Sequence, residues 1–124
     1  MSKNQKNFEK NGYVIVPGNK NLLNKIRKII FNNIKSNKKI KNKSDNEENI
    51  TKIFNNFHHY VSLKELNSLR FNIYKKINVG STFSEIYYKI VKEYLDDLVG
   101  NELSMQKKIN LSIQMPKDKD SLLD

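Results

Sequence analysis

The chain has 124 residues, with 23 Lys or Arg against 13 Asp or Glu, so its formal net charge is +10 at pH 7. It contains no Cys, which excludes disulfide bonds, thiolate metal sites and a cysteine nucleophile. Since no apolar run is long enough for a signal peptide or a transmembrane helix, the sequence predicts a single cytoplasmic domain, residues 1–124, with no membrane partner.

The positive charge allows two interpretations. An excess of Lys would attract nucleic acid or another anionic partner. The chain is also rich in Asn, Lys and Ile, which AT-rich codons encode, and that bias alone produces basic proteins without an anionic partner. No aromatic residues interleave with the lysines of residues 35–48 to form a stacking platform. We therefore favour the codon-bias interpretation, and a basic helical module that binds nucleic acid is the alternative.

The first predicted element is a short entry strand within residues 1–18, at the start of the domain. Residues 13–16 are a β-rich run, which follows a turn signal at Asn11 and Gly12 and ends at Pro17.

Four amphipathic helices are predicted within residues 19–100, because apolar residues recur there at helical spacing. Asn19 or Asn21 can cap the first helix. Ser62 with Glu65, and Thr82 with Glu85, form the capping-box pattern at the start of the last two helices. Gly100 stands where a C-terminal cap is expected. The predicted helices are 20–36, 50–60, 63–77 and the stretch between Thr82 and Gly100, with a solvated loop over 35–49.

Two adjacent histidines, His58 and His59, are the first candidates for a metal site. Adjacent residues of a helix point about 100° apart and rarely bind one ion, whereas His residues four positions apart can. We interpret the two as a pair at a helix end, with one ring packed and the other exposed. The adjacent carboxylates of Asp96 and Asp97 diverge in the same way and are interpreted as surface charge.

A strand is also predicted over residues 109–115, where apolar and polar residues alternate and so lie on opposite faces. The apolar set is Ile109, Leu111, Ile113 and Met115, and the polar set is Asn110, Ser112 and Gln114. A lone strand has unpaired backbone groups along its edges. We therefore expect self-association, or pairing with another chain, through this strand.

The residues around this strand resemble one group of 2-oxoglutarate/Fe(II)-dependent oxygenases, the relatives of phytanoyl-CoA dioxygenase found in sporadic carbohydrate-biosynthesis clusters. The similarity lies in residues 99–103, Gln106, 110–114, Pro116, Asp118 and 121–123. The helices at 56–60 and 63–78, and the entry around Phe8, Gly12 and Tyr13, are similar to the N-terminal part of the same family.

The resemblance implies an α+β fold, in which about four helices lead into the first strands of an incomplete double-stranded β-helix, or jelly roll. Residues 101–124 would supply the first core strand and the turn before the metal site. The implied activity is hydroxylation, with two His and one carboxylate holding Fe(II) beside open positions for 2-oxoglutarate and oxygen. The implied setting is carbohydrate or surface-polysaccharide biosynthesis.

The family's first two iron ligands would follow directly after the segment that reaches Asp124, and the chain contains no His-x-Asp. The resemblance thus predicts an inactive N-terminal fragment that binds neither Fe(II) nor 2-oxoglutarate well and has the missing C-terminal part of the domain as its partner. No catalytic residue or metal ligand is assigned.

Gln114 is the one residue assigned to cofactor binding, because this strand lines the cosubstrate pocket of the family and an amide there could hydrogen-bond a carboxylate. Asn110 and Ser112, on the same face, are weaker candidates. A polar side chain that faces solvent or a partner strand is the other interpretation of Gln114.

Overall fold

A computed structural model describes residues 1–100 and 108–116 of the chain. These residues form five α-helices and one turn of 3-10 helix, and no β-strand. The helices are α1 (Lys3–Asn11), α2 (Lys20–Asn33), α3 (Glu47–Asn55), α4 (Leu63–Ile77) and α5 (Thr82–Val99), and the 3-10 turn is Phe57–His59. The predicted fold class, helices that lead into jelly-roll strands, is therefore wrong for the described part of the chain. The predictions for residues 101–107 and 117–124 lie outside it.

The predicted entry strand is replaced by helix α1. The Ser2 hydroxyl accepts a hydrogen bond from the Gln5 backbone N–H, and the Gln5 side chain accepts one from the Ser2 N–H, which makes a capping box. Gly12 ends the helix with φ 77°, a left-handed conformation that glycine adopts without a Cβ clash. Residues 13–16 then run without regular structure. They form no strand because no other strand pairs with them within the described residues.

Helices α2 and α4 confirm the predictions from helical spacing. Asn19 caps α2 by accepting a hydrogen bond of 3.1 Å from the Leu22 N–H. The Ser62–Glu65 capping box of α4 is present, and Gly100 ends α5 with φ 87°. The predicted Thr82–Glu85 cap is wrong, because Thr82 is already helical and the N-cap is Ser81, which makes no side-chain capping bond.

The core lies around α2, which packs against α3, α4 and α5, while α1 packs against α5. Apolar residues from every element except α1 meet there. The buried set is Phe31, Ile34, Ile40, Ile50, Ile53, Phe57, Val61, Leu66, Ile73, Ile77, Phe83 and Ile109. Among the described residues, no helix combines the length and the apolar character needed to cross a membrane.

The loop between α2 and α3 is mostly exposed, as its polar composition predicts, but one residue at its centre is buried. Ile40 has no exposed surface and belongs to the core. The Asn37 side chain accepts a hydrogen bond of 2.9 Å from the Lys39 N–H and donates one of 3.2 Å to the Tyr60 carbonyl. These contacts fix the backbone of the turn. We call residues 35–43 the basic turn, since it carries five lysines: Lys35, Lys38, Lys39, Lys41 and Lys43.

Candidate strand-docking site

Residues 109–115 lie on the surface of the helices as one extended segment. Ile109 is buried, and Leu111, Ile113 and Met115 are half-buried against the core. Asn110, Ser112 and Gln114 are exposed. The predicted alternation of faces is therefore confirmed. The predicted strand is wrong, because the segment contacts helices instead of other strands.

Helix α4 and its C-cap residue, Asn78, hold this segment through two side chains. The Asn78 Oδ1 accepts a hydrogen bond of 2.8 Å from the Ile109 N–H, and its Nδ2 donates one of 3.0 Å to the Ile109 carbonyl. The Arg70 Nε donates a hydrogen bond of 3.1 Å to the Ile113 carbonyl, which also accepts one from Nη2. These contacts replace the backbone partners that a neighbouring strand would provide.

The spacing of the two anchors fits an extended segment that runs antiparallel to α4. Eight residues of α-helix separate Arg70 from Asn78, a distance of about 12 Å at 1.5 Å per residue. Four extended residues separate Ile109 from Ile113, a distance of about 13 Å at roughly 3.3 Å per residue. The two lengths agree, so the same helix face can hold both residues.

The two anchors identify which edge of the segment faces α4. In an extended chain the N–H and C=O of one residue point to one edge, and those of the next residue point to the opposite edge. Ile109 and Ile113 thus direct their peptide groups toward α4. Asn110, Ser112 and Gln114 direct theirs toward the other side, which we call the outer edge. Within the described residues, no hydrogen bond reaches the backbone of these three.

A cavity of about 320 Å³ lies beside the segment, and we call it the apolar groove. Its floor is made by residues of α2, α3, the 3-10 turn and α4, and its wall by residues 111–114 of the segment. The floor residues are Ile30, Ile34, Phe54, Phe57 and Ile73. A second cavity, of about 570 Å³, lies between the segment and α4, and its lining residues are Asn67, Arg70, Phe71, Tyr74, Asn110, Leu111 and Ser112. The segment therefore contributes to the lining of both cavities.

The described residues do not fit an iron site. No group of three His, Cys, Asp or Glu that could hold a metal ion is present among them. His58 and His59 form a pair at the end of the 3-10 turn, with ring centroids 4.2 Å apart, and both are exposed. The prediction of a helix-end pair is confirmed, but the prediction of one packed ring is wrong.

Gln114 lies on the outer face of the segment and lines the apolar groove. Among residues 1–100 and 108–116, no cation that could pair with a carboxylate lines that groove. The nearby Arg70 is on the α4 side of the segment and donates to Ile113 and to Asn67. A role of Gln114, Asn110 or Ser112 in binding 2-oxoglutarate stays a prediction, and the groove itself suits apolar side chains.

The carboxylates of Asp96 and Asp97 have separate structural contacts. Asp97 accepts a hydrogen bond of 2.8 Å from the Ser2 hydroxyl, which ties α1 to α5. Asp96 forms an ion pair with Lys92 one helical turn away. The hydrogen bond to Asp96, together with the charge of that carboxylate, raises the pKa of Lys92 above its ordinary value. The two carboxylates therefore contact different partners, as expected of adjacent residues on a helix.

No family model matches the chain, and no curated protein or solved structure matches it either. The resemblance to the oxygenases therefore stays a prediction, and the geometry of residues 108–116 on the helices is the observation from which function is inferred.

Proposed function

We propose that the helices are a non-catalytic support that holds residues 109–115 extended, for pairing with a β-strand of the iron-binding part of a 2-oxoglutarate/Fe(II) oxygenase. The observation that supports this is the mode of attachment of the segment. Its apolar face is fixed on the core, one edge is occupied by Asn78 and by Arg70 of α4, and within residues 1–100 and 108–116 the backbone of the other edge makes no hydrogen bond.

The assignment to an oxygenase is supported by the resemblance of residues 99–103 and 110–114 to the approach to the iron site. Because the described residues offer no ligand set for Fe(II), the ligands would come from the partner. The contribution of this chain would be apolar surface and backbone hydrogen bonds. The substrate class, a sugar or a sugar-linked intermediate, is suggested by the resemblance alone.

This proposal can be tested by purifying the tagged chain from its own cells and identifying the associated polypeptide by mass spectrometry. We expect a polypeptide with a His-x-Asp sequence and a later His, in a complex that binds Fe(II) and consumes oxygen together with 2-oxoglutarate. The chain alone is the control and is expected to do neither. Stoichiometric Fe(II) and oxygen consumption by the chain alone, or a partner without these ligands, would contradict the oxygenase assignment.

A second candidate function, binding of single-stranded nucleic acid, is favoured by the basic turn. Its backbone is anchored by the buried Ile40, and Asn37 links the turn to Tyr60, which follows the exposed rings of His58 and His59. Exposed rings beside a basic surface are the combination that single-stranded nucleic acid binding uses. The lysines of the basic turn and the two histidine rings are separated in the sequence, which is why no aromatic residue interleaves with the lysines.

Binding to a single-stranded RNA oligonucleotide, measured by fluorescence anisotropy over a series of salt concentrations, tests this candidate. Replacing Lys38, Lys39 and Lys41 by Gln should weaken binding and reduce the slope of log affinity against log salt by about 0.7 for each phosphate that is no longer neutralised. The control variant carries the same change at three exposed lysines of α1: Lys3, Lys6 and Lys10. Equal weakening in both variants would show that net charge alone is responsible.

A further inference from the structure

Nearly all of the net positive charge lies in one segment of the chain. Residues 20–43, which form α2 and the basic turn, contain nine Lys or Arg and no Asp or Glu. The other 100 residues contain 14 Lys or Arg and 13 Asp or Glu, so they carry only one of the ten net charges. Because a codon bias acts along the whole gene, it does not explain why the excess is confined to these 24 residues.

Helix α2 presents part of this charge on one exposed strip. Four exposed residues recur every three or four positions and therefore lie on the same side of the helix: Asn21, Lys25, Lys28 and Asn32. Lys20 is exposed at the start of α2, and the basic turn follows its C-terminal end. We call Lys20, Lys25 and Lys28, together with the basic turn, the basic face. Within the described residues, none of its lysines forms an ion pair with a carboxylate.

We infer that the basic face binds the phosphate backbone of double-stranded nucleic acid and does not read the bases. This inference goes beyond the proposed support function and does not depend on the oxygenase assignment. It shares the basic turn with the second candidate function. It differs by including α2 in the surface and by naming a duplex, in place of a single strand, as the partner.

The packing of α2 determines how a duplex meets it. Because α2 packs against α3, α4 and α5, only a strip of it is exposed, and it does not protrude to enter a major groove. On the α3 side the strip is bordered by Glu47, which accepts a hydrogen bond from Asn24. The 14 residues of α2 are about 20 Å long. A duplex carries one phosphate charge for roughly each 1.7 Å of its axis, so the lysines meet phosphates with any base sequence.

The basic face lacks the groups that bind a single strand or a membrane. Residues 20–43 contain one aromatic residue, Phe31, and its ring is fully buried, so no base can stack on it. A helix that binds a membrane surface buries an apolar face in the lipid. The apolar side chains of α2 are packed in or against the core instead, and Leu23 is the one large apolar side chain of residues 20–43 that is exposed.

Helix α4 lies on the opposite side of α2 from the basic face. Ile30 lines a cavity together with Ile73 of α4, and it follows Lys28 by two residues, which is about 200° around the helix. Lys75 and Lys76, two exposed lysines of α4, therefore provide a control that changes the net charge without changing the basic face.

Fluorescence anisotropy of a labelled DNA duplex, measured over a series of salt concentrations, tests the inference. In the α2 variant, Lys25→Gln with Lys28→Gln, the slope of log affinity against log salt should become less steep by about 0.9 for each lysine that contacts a phosphate. Duplexes of different base sequence should be weakened equally. The α4 variant, Lys75→Gln with Lys76→Gln, should keep the original slope. Circular dichroism should show the same helix content in both variants, since all four side chains are exposed.

Four results would overturn the inference. Equal changes of slope in the α2 and α4 variants would show that net charge, and no particular face, is responsible. Affinities that differ tenfold or more between duplexes of different sequence would show that bases are read. Tighter binding of a single strand of the same length would make a single strand the partner. Binding to phosphatidylserine vesicles that the α2 variant weakens, without binding to a duplex, would make a membrane the partner.

The inference and the second candidate function fail in different experiments. If the α2 variant weakens duplex binding and the chain does not bind single-stranded RNA, the inference stands and the second candidate fails. If single-stranded RNA binds through Lys38, Lys39 and Lys41 and the α2 variant leaves the duplex slope unchanged, the second candidate stands and the inference fails. Neither result affects the test of the oxygenase partner.

Discussion

Replacement of Ile40 by Ala is expected to lower the free energy of unfolding by about 2–5 kcal/mol, the range for truncating a fully buried Ile or Leu. Ile40 has no exposed surface and is packed in the main core, although it lies in the middle of the basic turn. Urea denaturation followed by circular dichroism measures the change. The backbone amides of Lys41 and Lys43, which donate to Asn37 and Ile40, should also exchange faster in the variant.

The matched control is Lys39→Ala, one residue away, where the side chain is exposed. We expect it to change the free energy of unfolding by less than about 0.5 kcal/mol, as is usual for surface substitutions. If Ile40→Ala were as mild as Lys39→Ala, the packing of Ile40 would not be what fixes the backbone of the basic turn.

The burial of Ile40 within a mostly exposed loop could not be predicted from the sequence, for a physical reason. Helical and strand periodicity report burial only where several apolar residues recur, and Ile40 is the one apolar residue between Ile34 and Ile50. Its burial is decided by tertiary contacts, such as the hydrogen bond from Asn37 to the carbonyl of Tyr60, 23 positions along the chain. The repeated apolar positions of α2 and α4, in contrast, made these helices predictable.

The candidate site was also only partly predictable: local sequence patterns indicate which side chains are buried, but not which distant residues they contact. The alternation over residues 109–115 predicted which side chains face the core, and the structure confirms it. The surface on which they pack could not be predicted, because strand pairing and helix packing bury an alternating segment equally well. No pattern in the sequence marks Asn78 or Arg70 as an anchor of the segment. Eight helical residues and four extended residues span nearly the same length, but this agreement identifies the two anchors only once α4 and the segment are known to be neighbours.

The two errors at the chain's predicted strands have different origins. Residues 13–16 have β-rich composition and alternate between exposed and half-buried, but no other strand of the described residues pairs with them, and the capping box between Ser2 and Gln5 favours a helix just before them. Residues 109–115 have the alternation but meet amide and guanidinium groups of α4 in place of a second strand. A partner strand at the outer edge would convert this segment from an isolated extended chain into one member of a sheet.

The second large effect is expected from Asn78→Ala, which removes both partners of Ile109. The Asn78 side chain bonds the N–H and the carbonyl of this residue and also donates a hydrogen bond of 2.8 Å to the Tyr74 carbonyl. Leaving partly buried peptide groups without partners costs about 1–3 kcal/mol. Because Asn78 joins α4 to residues 109–115, we expect local release of the segment: the Ile109 amide loses its protection from hydrogen exchange, and proteases cleave the segment, while the amides of α2 and α4 stay protected.

Asn72→Ala is the control on the same helix, since the Asn72 side chain is exposed and lies on another face. It should leave the Ile109 amide and the protease pattern as they are. An unchanged exchange rate at Ile109 in Asn78→Ala would show that apolar packing alone fixes the segment. The segment would then keep its position without the hydrogen bonds from Asn78.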